Sequence, residues 1–297
     1  MQSPMIRRRD FILGSSAFAG QAVLFGCRTS EGSGPAARFG ILSDTHVTGP
    51  ECADELRKAL GFFREKGVDA VLHCGDVTNL GYRRELEAFE AVWDETMPKS
   101  VRFIAVMGNR DLSDTKRFPK ERRERERDRL LIGSGRVFGI RSFDVNGVNV
   151  VAADWKHEGE LESHMAAHPE LRDPSKPLVV IQHPHPKETL FGASGRMADD
   201  GRAGCTLRLF PRAVSFSGHS HIGFARPDSI WRGDYVAAAA GSCYFGPPTA
   251  KGGREVSVLT VAPGRTVLDR TDLSTGRTVT IDLTPPAERP GRAFPFH

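Results

Sequence analysis

RFGILSDTH, residues 38–46, joins a short strand-forming run to an aspartate and a histidine spaced two apart. Residues two apart on an extended segment project to the same side, so Asp44 and His46 can bind one ion together. Four later segments also place polar residues directly after a predicted strand. They are Gly-Asp at 75–76, Gly-Asn-Arg-Asp at 108–111, Gln-His-Pro at 182–184 and Gly-His-Ser-His at 218–221. The sequence therefore predicts that five strand ends meet at one edge of a strand framework.

The side chains at these strand ends are metal ligands of mixed type. Neutral imidazole suits Zn, Fe, Mn or Cu, whereas carboxylate and amide oxygens suit harder ions, so the mixture indicates borderline first-row metals. Glycines before Asp76, Asn109 and His219 allow the chain to leave each strand sharply and to approach a ligand closely. The candidate ligands number seven, which is too many for one tetrahedral ion. They predict two ions that share one carboxylate.

The ordered set resembles the signature of the calcineurin-like metallophosphoesterases, which reads D-x-H, G-D, G-N-H-[DE], H and G-H-x-H. The resemblance spans residues 39–222. It implies a hydrolase that cleaves a phosphoester with a metal-bridging hydroxide, using two divalent or mixed-valence ions of Mn, Fe or Zn. The implied ligands of the first metal are Asp44, His46, Asp76 and His221, and those of the second are Asp76, Asn109, His183 and His219. Asp76 is then the bridging carboxylate and, with Arg110, a catalytic residue.

Arg110 stands where the superfamily pattern has the histidine credited with helping the leaving group. A guanidinium releases no proton at ordinary pH, so Arg110 cannot act as a general acid, but it can bind phosphate oxygens and stabilise developing charge. The same Gly-Asn-Arg-Asp occurs in the UDP-2,3-diacylglucosamine pyrophosphate hydrolases of the superfamily, so it is compatible with turnover. Without a general acid at this position, we expect a phosphodiester or an activated monoester as substrate. The alternative is a non-catalytic, metal-stabilised protein that binds a phosphorylated ligand.

Four residues near the motifs leave alternatives open. Asp111 could take part in catalysis, orient its neighbour Arg110 or cap the next segment. His185 could replace His183 as a ligand, although the position directly after the strand fits the family pattern better. The other two are His73, predicted to pack within its strand or behind the ligands, and His157, which could contact substrate from another strand end.

The first 26 residues predict an export signal. Three arginines, 7–9, precede a weakly apolar stretch that is too short and too polar for a membrane span. Arg8 and Arg9 followed by Asp10-Phe11 resemble a twin-arginine signal, and Leu-Phe-Gly-Cys at 24–27 resembles a lipoprotein processing box. Cleavage before Cys27 would leave a lipid-bearing amino terminus on a tether, residues 27–37, and ordinary cleavage without lipid is the alternative. We expect a periplasmic or cell-surface protein attached to the membrane through Cys27.

The net charge gives no reason to expect nucleic acid or a membrane as an electrostatic partner. Removal of residues 1–26 takes away three arginines and one aspartate and lowers the formal net charge from +4 to +2. Such a charge gives no reason to expect nucleic acid as a partner, and the expected partner is a phosphorylated small molecule. The charge run at 120–129 alternates in sign, which predicts a solvated helix face, with a cover over the pocket as the alternative.

Helical periodicity at 53–66 and 83–96, between predicted strands, is the βαβ pattern of an α/β protein. The pair Asn146-Gly147 predicts a hairpin that joins strands at 137–140 and 148–151. Three more strands are predicted at 255–261, 266–270 and 278–282. Together with the family resemblance, these elements predict a four-layer αββα sandwich of two mixed sheets flanked by helices. It would form a single domain over 38–284, with the last strands completing the second sheet and a tail at 285–297.

Overall fold

The computed structural model describes residues 36–112, 139–173, 176–191, 197–243 and 254–284. The strands in these ranges are β1 (Ala37–Leu42), β2 (Ala70–His73), β3 (Arg102–Ala105), β4 (Ile140–Val145), β5 (Val148–Ala153), β6 (Leu178–Gln182), β7 (Ala213–Ser217), β8 (Ile230–Arg232), β9 (Val236–Ala239), β10 (Glu255–Ala262), β11 (Arg265–Asp272) and β12 (Arg277–Asp282). The α-helices are α1 (Ala53–Lys66), α2 (Arg83–Thr96), α3 (Leu161–Ala167) and α4 (Arg202–Leu207). The predicted export signal, Cys27, the charge run and the tail lie outside the described residues, and β1 begins at the last residue of the predicted tether.

The strands form two six-stranded sheets, in the orders β12-β11-β10-β1-β2-β3 and β4-β5-β6-β7-β9-β8. Strands β1, β2 and β3 are parallel in the first sheet, and β5, β6, β7 and β9 are parallel in the second. The outer strands β4, β8 and β10 to β12 pair antiparallel with their neighbours. Both sheets are therefore mixed, as the sequence predicts.

Three apolar clusters separate four layers. The central cluster joins inward-facing residues of both sheets, among them Phe39, Ile41, Ile181 and Phe216. A second packs the first sheet on α1 and α2, and a third packs the second sheet on α3 and α4. Strands β2, β5 and β6 are buried along their whole length, because a parallel sheet with helices on its outer face exposes neither side. The predicted αββα sandwich is confirmed.

The last three strands correct one prediction. They extend the first sheet instead of completing the second, because β10 pairs antiparallel with β1, with Phe39 opposite Leu259. β1 pairs with β2 on one side only, and its other side needs a partner for its backbone N–H and C=O groups. In the second sheet, β8 is the antiparallel neighbour of β9, as β10 is of β1 in the first sheet. A hydrophobic pattern gives strand positions but does not reveal which sheet a strand joins.

Most of the local predictions agree with the structure. Helices α1 and α2 have the predicted bounds, and the hairpin turns at Asn146 and Gly147, whose φ values of 52° and 81° are left-handed. The bounds predicted for the first strand of that hairpin, 137–140, are wrong, because β4 runs from Ile140 to Val145 directly up to the turn and Gly139 is outside it. The predicted residues 137–138 lie outside the described ranges. None of the helices in the described ranges combines the length and hydropathy needed to span a bilayer.

Arginines join the two sheets at both open edges of the sandwich. Arg102 at the start of β3 donates to the backbone carbonyl of Asp144 on β4 at 2.7 Å. At the opposite edge, Arg232 on β8 donates to the carbonyl of Asp282 on β12. The sheets are thus held in a fixed relation outside their shared core as well as within it. This matters for a site whose residues come from both sheets.

Gly40→Ala should destabilise the fold, because a Cβ on this β1 residue would lie 2.8 Å from the ring carbons of the buried Phe63 on α1. We expect a loss of about 1–3 kcal/mol in the free energy of unfolding, the usual cost of overpacking. The matched control is Gly61→Ala on α1, the helix that carries Phe63, where no heavy atom lies within 4 Å of the added Cβ. It should stabilise by up to about 1 kcal/mol through helix propensity. Urea unfolding measures both, and equal effects would contradict the packing argument.

Candidate metal centre

The five polar segments lie at the carboxyl ends of parallel strands. The first three follow β1, β2 and β3 in the first sheet, and the other two follow β6 and β7 in the second. Parallel strands of one sheet end at the same edge, and the core packing brings the edges of the two sheets together. Between them lies a cleft of about 350 Å³, lined by His46, Asp76, Asn79, Asn109, Arg110, Met197, His219 and His221.

Most of the predicted ligands have a left-handed backbone. The φ values are 53° for Asp44, 46° for His46, 54° for Asp76, 67° for His219 and 54° for His221. Non-glycine residues rarely adopt this conformation, which costs on the order of 1–3 kcal/mol where the surroundings enforce it. Such strain clusters at functional sites, and here it turns the side chains at the strand ends toward one another.

Four of these side chains converge on one point. Each of Asp44, His46, Asp76 and His221 offers a ligand atom, and these atoms lie within 4.8 Å of one another. Nε2 of His221 lies 3.2 Å from Oδ1 of Asp44 and 3.0 Å from Nε2 of His46. Two carboxylates and two imidazoles at this spacing form a donor set for one borderline divalent ion.

Asp44 is oriented by neighbours that the sequence analysis missed. The hydroxyl of Ser43 donates to Oδ2 of Asp44 at 2.6 Å, and the backbone N–H of His219 is shared between Oδ2 at 3.1 Å and Oδ1 at 3.2 Å. Oδ1 is also the oxygen that faces Nε2 of His221, at 3.2 Å. A Cβ at Gly218 would overlap both the Ser43 hydroxyl and the Asp44 carboxylate, which explains the glycine before His219.

A second group of donors lies on the other side of Asp76. Nε2 of His183 is 3.0 Å from Oδ1 of Asn109 and 3.3 Å from Oδ2 of Asp76. Nδ1 of His183 is 2.8 Å from the carbonyl of Cys74, so it carries the proton and leaves Nε2 free for a metal. The ring of His219 lies 4.8 Å from that of His183. Asn109 and His219 thus lie beside His183, and His183 is the member of this group that contacts Asp76.

Asp76 lies between the two groups. Its Oδ2 is 3.6 Å from Nε2 of His46 and 3.3 Å from Nε2 of His183. Its Oδ1 accepts the backbone N–H of Arg110 at 2.7 Å, so Oδ2 is the oxygen that both groups share. A Cβ at Gly108 would overlap the carboxylate, so the loop approaches Asp76 only because residue 108 is glycine.

Burial and neighbouring charges shift the pKa values in this cluster. Burial alone would raise the pKa of Asp44 and of Asp76, but their histidine neighbours lower both. Burial alone would lower the pKa of His183, but the Asp76 carboxylate beside it raises that pKa to about 9. Burial and the charge of His183 lower the pKa of His219 to about 4. The carboxylates are ionised at neutral pH, and His183 must lose its proton to bind a cation.

Asp111 lies beneath the cleft and does not line it. It is 1% exposed, and its carboxylate accepts the N–H groups of Thr78 at 2.8 Å and Gly108 at 2.9 Å, together with the hydroxyl of Thr78 at 2.7 Å. Burial and the charge of Asp76 raise the pKa of Asp111 to about 6. Of the alternatives left open by the sequence, the geometry favours a positioning role, because Asp111 joins the 75–79 loop to the 108–111 loop.

The structure places the remaining histidines away from the cleft. His185 is fully buried and packs edge-on against Phe191, whereas His183 contacts Asp76 and Asn109. His73 packs edge-on against the rings of Phe89 and Phe103 and bonds to the hydroxyl of Thr45 at 3.1 Å. His157 lies 3.0 Å from a carboxylate oxygen of Glu160 and is not among the lining residues of the cleft.

Trp155 is the residue that the sequence analysis overlooked in favour of His157. Its ring lies 5.7 Å from that of His183 and 5.1 Å from that of His219. The backbone N–H of Trp155 donates to the backbone carbonyl of Met107 at 2.9 Å, and the carboxylate of Asp154 accepts the backbone N–H of Met107 at 2.8 Å. These bonds attach the 108–111 loop of the first sheet to the end of β5 in the second. In the sequence, the pair Asp154-Trp155 directly after a buried strand was the signal that could have identified this role.

Residues 37–223 match the family model described as calcineurin-like phosphoesterase, and the chain belongs to this family. The match covers all five polar segments and ends just after the Gly-His-Ser-His loop. A phosphodiesterase of Methanocaldococcus jannaschii is 35% identical over 74 residues, which are 25% of this chain and 36% of that protein. The aligned part thus spans about a third of the relative's length.

Two solved structures share the fold. A dimetal phosphatase from Danio rerio aligns with a TM-score of 0.52 at 15% identity, over 83% of this chain and 99% of that one. GAP50, described as the anchor in the inner membrane complex of Plasmodium, aligns with a TM-score of 0.53 at 13% identity, over 86% and 90% of the respective chains. At these identities the likeness shows the αββα architecture alone.

Asp76→Ala should lose both metals, because Oδ2 of Asp76 is the oxygen common to the two donor groups. Asn109→Ala should mainly weaken the second metal, since Asn109 contacts His183 and lies outside the cluster of Asp44, His46, Asp76 and His221. Elemental analysis of the purified variants after dialysis gives the metal content per chain. Two tightly bound ions in the Asp76 variant would contradict the bridging assignment.

Proposed function

We propose that the protein is a metal-dependent hydrolase of phosphoesters that works with two metal ions and is exported from the cytoplasm. The observation that carries the catalytic part is the position of Asp76. Its Oδ1 is occupied by a backbone N–H, and its Oδ2 faces His46 on one side and His183 on the other. This is the geometry expected of a carboxylate that joins two metals.

The residues present fit such a pair of ions. The ligand loops have a left-handed backbone that turns the side chains toward one another, and the His183 tautomer is fixed by the Cys74 carbonyl. Asp44, His46, Asp76 and His221 would hold one ion, and Asp76, Asn109, His183 and His219 would hold the other. When bound, the ions supply Lewis-acid polarisation of the phosphoryl group and a water of low pKa. Mn, Fe and Zn are all compatible with the mixed oxygen and nitrogen donors.

Arg110 supports the reaction through charge. Its side chain is exposed and lines the cleft beside Asp76 and Asn109. A guanidinium in this place binds the non-bridging phosphoryl oxygens and stabilises the charge that accumulates as water attacks phosphorus and the ester P–O bond breaks. It donates no proton to the departing oxygen. This favours phosphodiesters or activated monoesters, whose leaving groups depart without an acid at this position.

The alternative function is binding of a phosphorylated ligand without turnover. The observation in its favour is the replacement of the family's histidine by Arg110, which removes a proton donor and retains an anion-binding group. The presence of the complete ligand set supports the enzyme, because a protein that only binds a phosphorylated ligand has no need for a bridging carboxylate. Turnover distinguishes the two functions.

The direct test is a screen of phosphomonoesters, cyclic nucleotides and phosphodiesters with the protein loaded with Mn, Fe or Zn. We expect metal-dependent hydrolysis of at least one diester, with no activity in Asp76→Ala. Tight binding of phosphorylated compounds without release of product under all three metals would support the alternative.

Arg110→Ala should lower kcat and kcat/KM together by about 10² to 10³, the scale for removal of one donor that stabilises transition-state charge. The metal content should stay at the wild-type level, because the backbone N–H of Arg110 still binds Asp76. Steady-state kinetics on a nitrophenyl diester measure this effect, and the exposed Arg212→Ala is the matched control. A change confined to KM would instead assign Arg110 to ground-state binding.

The export proposal rests on the sequence of residues 1–26. Arg8→Lys with Arg9→Lys should retain the protein in the cytoplasm, because the arginine pair is the feature that a twin-arginine receptor reads. Cys27→Ser should remove lipid without retaining the protein in the cytoplasm. Cell fractionation and mass spectrometry of the mature amino terminus measure both. A soluble wild-type protein that begins beyond Cys27 would contradict the lipid anchor and leave the export proposal intact.

A further inference from the structure

The cleft contains few groups that are free to contact the organic part of a substrate. Five of its eight lining residues belong to the predicted metal ligands, namely His46, Asp76, Asn109, His219 and His221. Among the residues that the structure describes, Asn79, Arg110 and Met197 remain. Contacts beyond the phosphoryl group therefore fall to one amide, one guanidinium and one thioether.

Asn79 is held by its backbone while its side chain is free. Its N–H donates to the carbonyl of Val47 at 3.1 Å, and its neighbour Thr78 forms a parallel bridge with Val47. Thr78 is also fixed through its N–H and hydroxyl, which donate to Asp111 at 2.8 and 2.7 Å. Within the described ranges the amide of Asn79 makes no hydrogen bond. A polar group with a fixed backbone and an unused amide in a cleft is suited to recognition.

Asn79 and Arg110 are held in a fixed relation to each other. The Asp111 carboxylate that binds Thr78 also accepts the N–H of Gly108 at 2.9 Å, two residues before Arg110. The N–H of Arg110 in turn donates to Asp76 at 2.7 Å. The backbone positions from which these two side chains extend are therefore fixed by one network relative to the metal ligands. A ligand that meets both side chains has only their rotamers to order.

The chemistry of the pair defines the group that each would bind. Arg110 is the only arginine or lysine among the described lining residues, and it suits the anionic phosphoryl oxygens. The Asn79 amide is neutral and offers two N–H donors and a carbonyl acceptor. A second anionic group would find no further lysine or arginine there, and an apolar group would leave the amide unpaired at a cost in affinity.

We infer that Asn79 selects phosphodiesters whose second ester group is an uncharged, hydroxyl-bearing alcohol, with Met197 bordering its carbon atoms. A hydroxyl both donates and accepts, so one alcohol can use both functions of the amide. The inference rests on the proposed phosphoester hydrolase function and adds to it the class of alcohol that the cleft prefers.

The test uses two diesters with the same leaving group, glyceryl 4-nitrophenyl phosphate and propyl 4-nitrophenyl phosphate, on the full-length protein loaded with Mn²⁺. Both release nitrophenolate and both carry a three-carbon second ester group, so they differ only in the hydroxyls of that group. The wild type should prefer the glyceryl diester in kcat/KM by about three- to tenfold, the effect of one hydrogen bond. Asn79→Ala should bring the ratio close to one. Competitive inhibition by glycerol phosphate and propyl phosphate should show the same preference and the same loss without turnover.

Met197→Ala is the matched control, because it alters the same cleft without removing a hydrogen-bonding group. It should change both diesters by the same factor and keep their ratio. Asn79→Asp keeps the shape of the side chain but loses its N–H donors and adds negative charge, so it should lower both rates and remove the preference. Metal analysis and thermal unfolding identify any variant whose metal binding or folding is impaired.

The outcomes separate the inference from the function on which it rests. Failure of the loaded wild type to hydrolyse either diester contradicts the proposed function. Hydrolysis of both diesters, with the same ratio of kcat/KM values in the wild type and in Asn79→Ala, contradicts the inference but not the proposed function. An equal loss on both diesters in Asn79→Ala, with metal content intact, would place Asn79 on the phosphoryl group and overturn its role in choosing the alcohol.

Discussion

The hydrogen bond from the backbone N–H of Arg110 to Oδ1 of Asp76 fixes the oxygen that faces the two donor groups. It requires the 108–111 loop to approach the carboxylate more closely than any residue with a Cβ would permit at Gly108. The loop in turn is held by Thr78 of the first sheet, which donates to the loop's Asp111, and by Asp154 and Trp155 of the second sheet, which bond to Met107. The packing of the two sheets brings these contacts from distant parts of the chain together.

Arg110 acts through two independent parts. Its backbone belongs to the metal centre, and its side chain belongs to the cleft. A change of side chain at this position can therefore alter the chemistry offered to substrate without disturbing the ligands. This separation accounts physically for how a chain can carry arginine where its family has histidine and still present every predicted metal ligand. The same reasoning applies to Asn79, whose backbone bonds to Val47 and whose amide faces the cleft.

Much of the fold could be predicted because its signals are local. The periodicity of α1 and α2, the Asn146-Gly147 turn and the strand-forming runs each lie within a few residues, and the ligand-rich motifs mark where the strands end. The sheet joined by β10 to β12 could not be predicted, because the pairing of β10 with β1 links residues more than 200 positions apart. The contacts of Ser43, Asp111 and Trp155 were missed for a related reason. Their partners are fixed by the meeting of separate loops, which no single segment encodes.

The bond between the His219 N–H and the Asp44 carboxylate joins residues 175 positions apart in the chain. Closing a loop of that length costs entropy that only the completed packing of both sheets repays. The left-handed ligand backbones also persist only while the surrounding structure enforces them. The centre therefore exists only in the folded chain, with β7 in place in the second sheet. Ions held by the proposed centre would consequently be chosen in whichever compartment the chain folds, from the ion supply of that compartment.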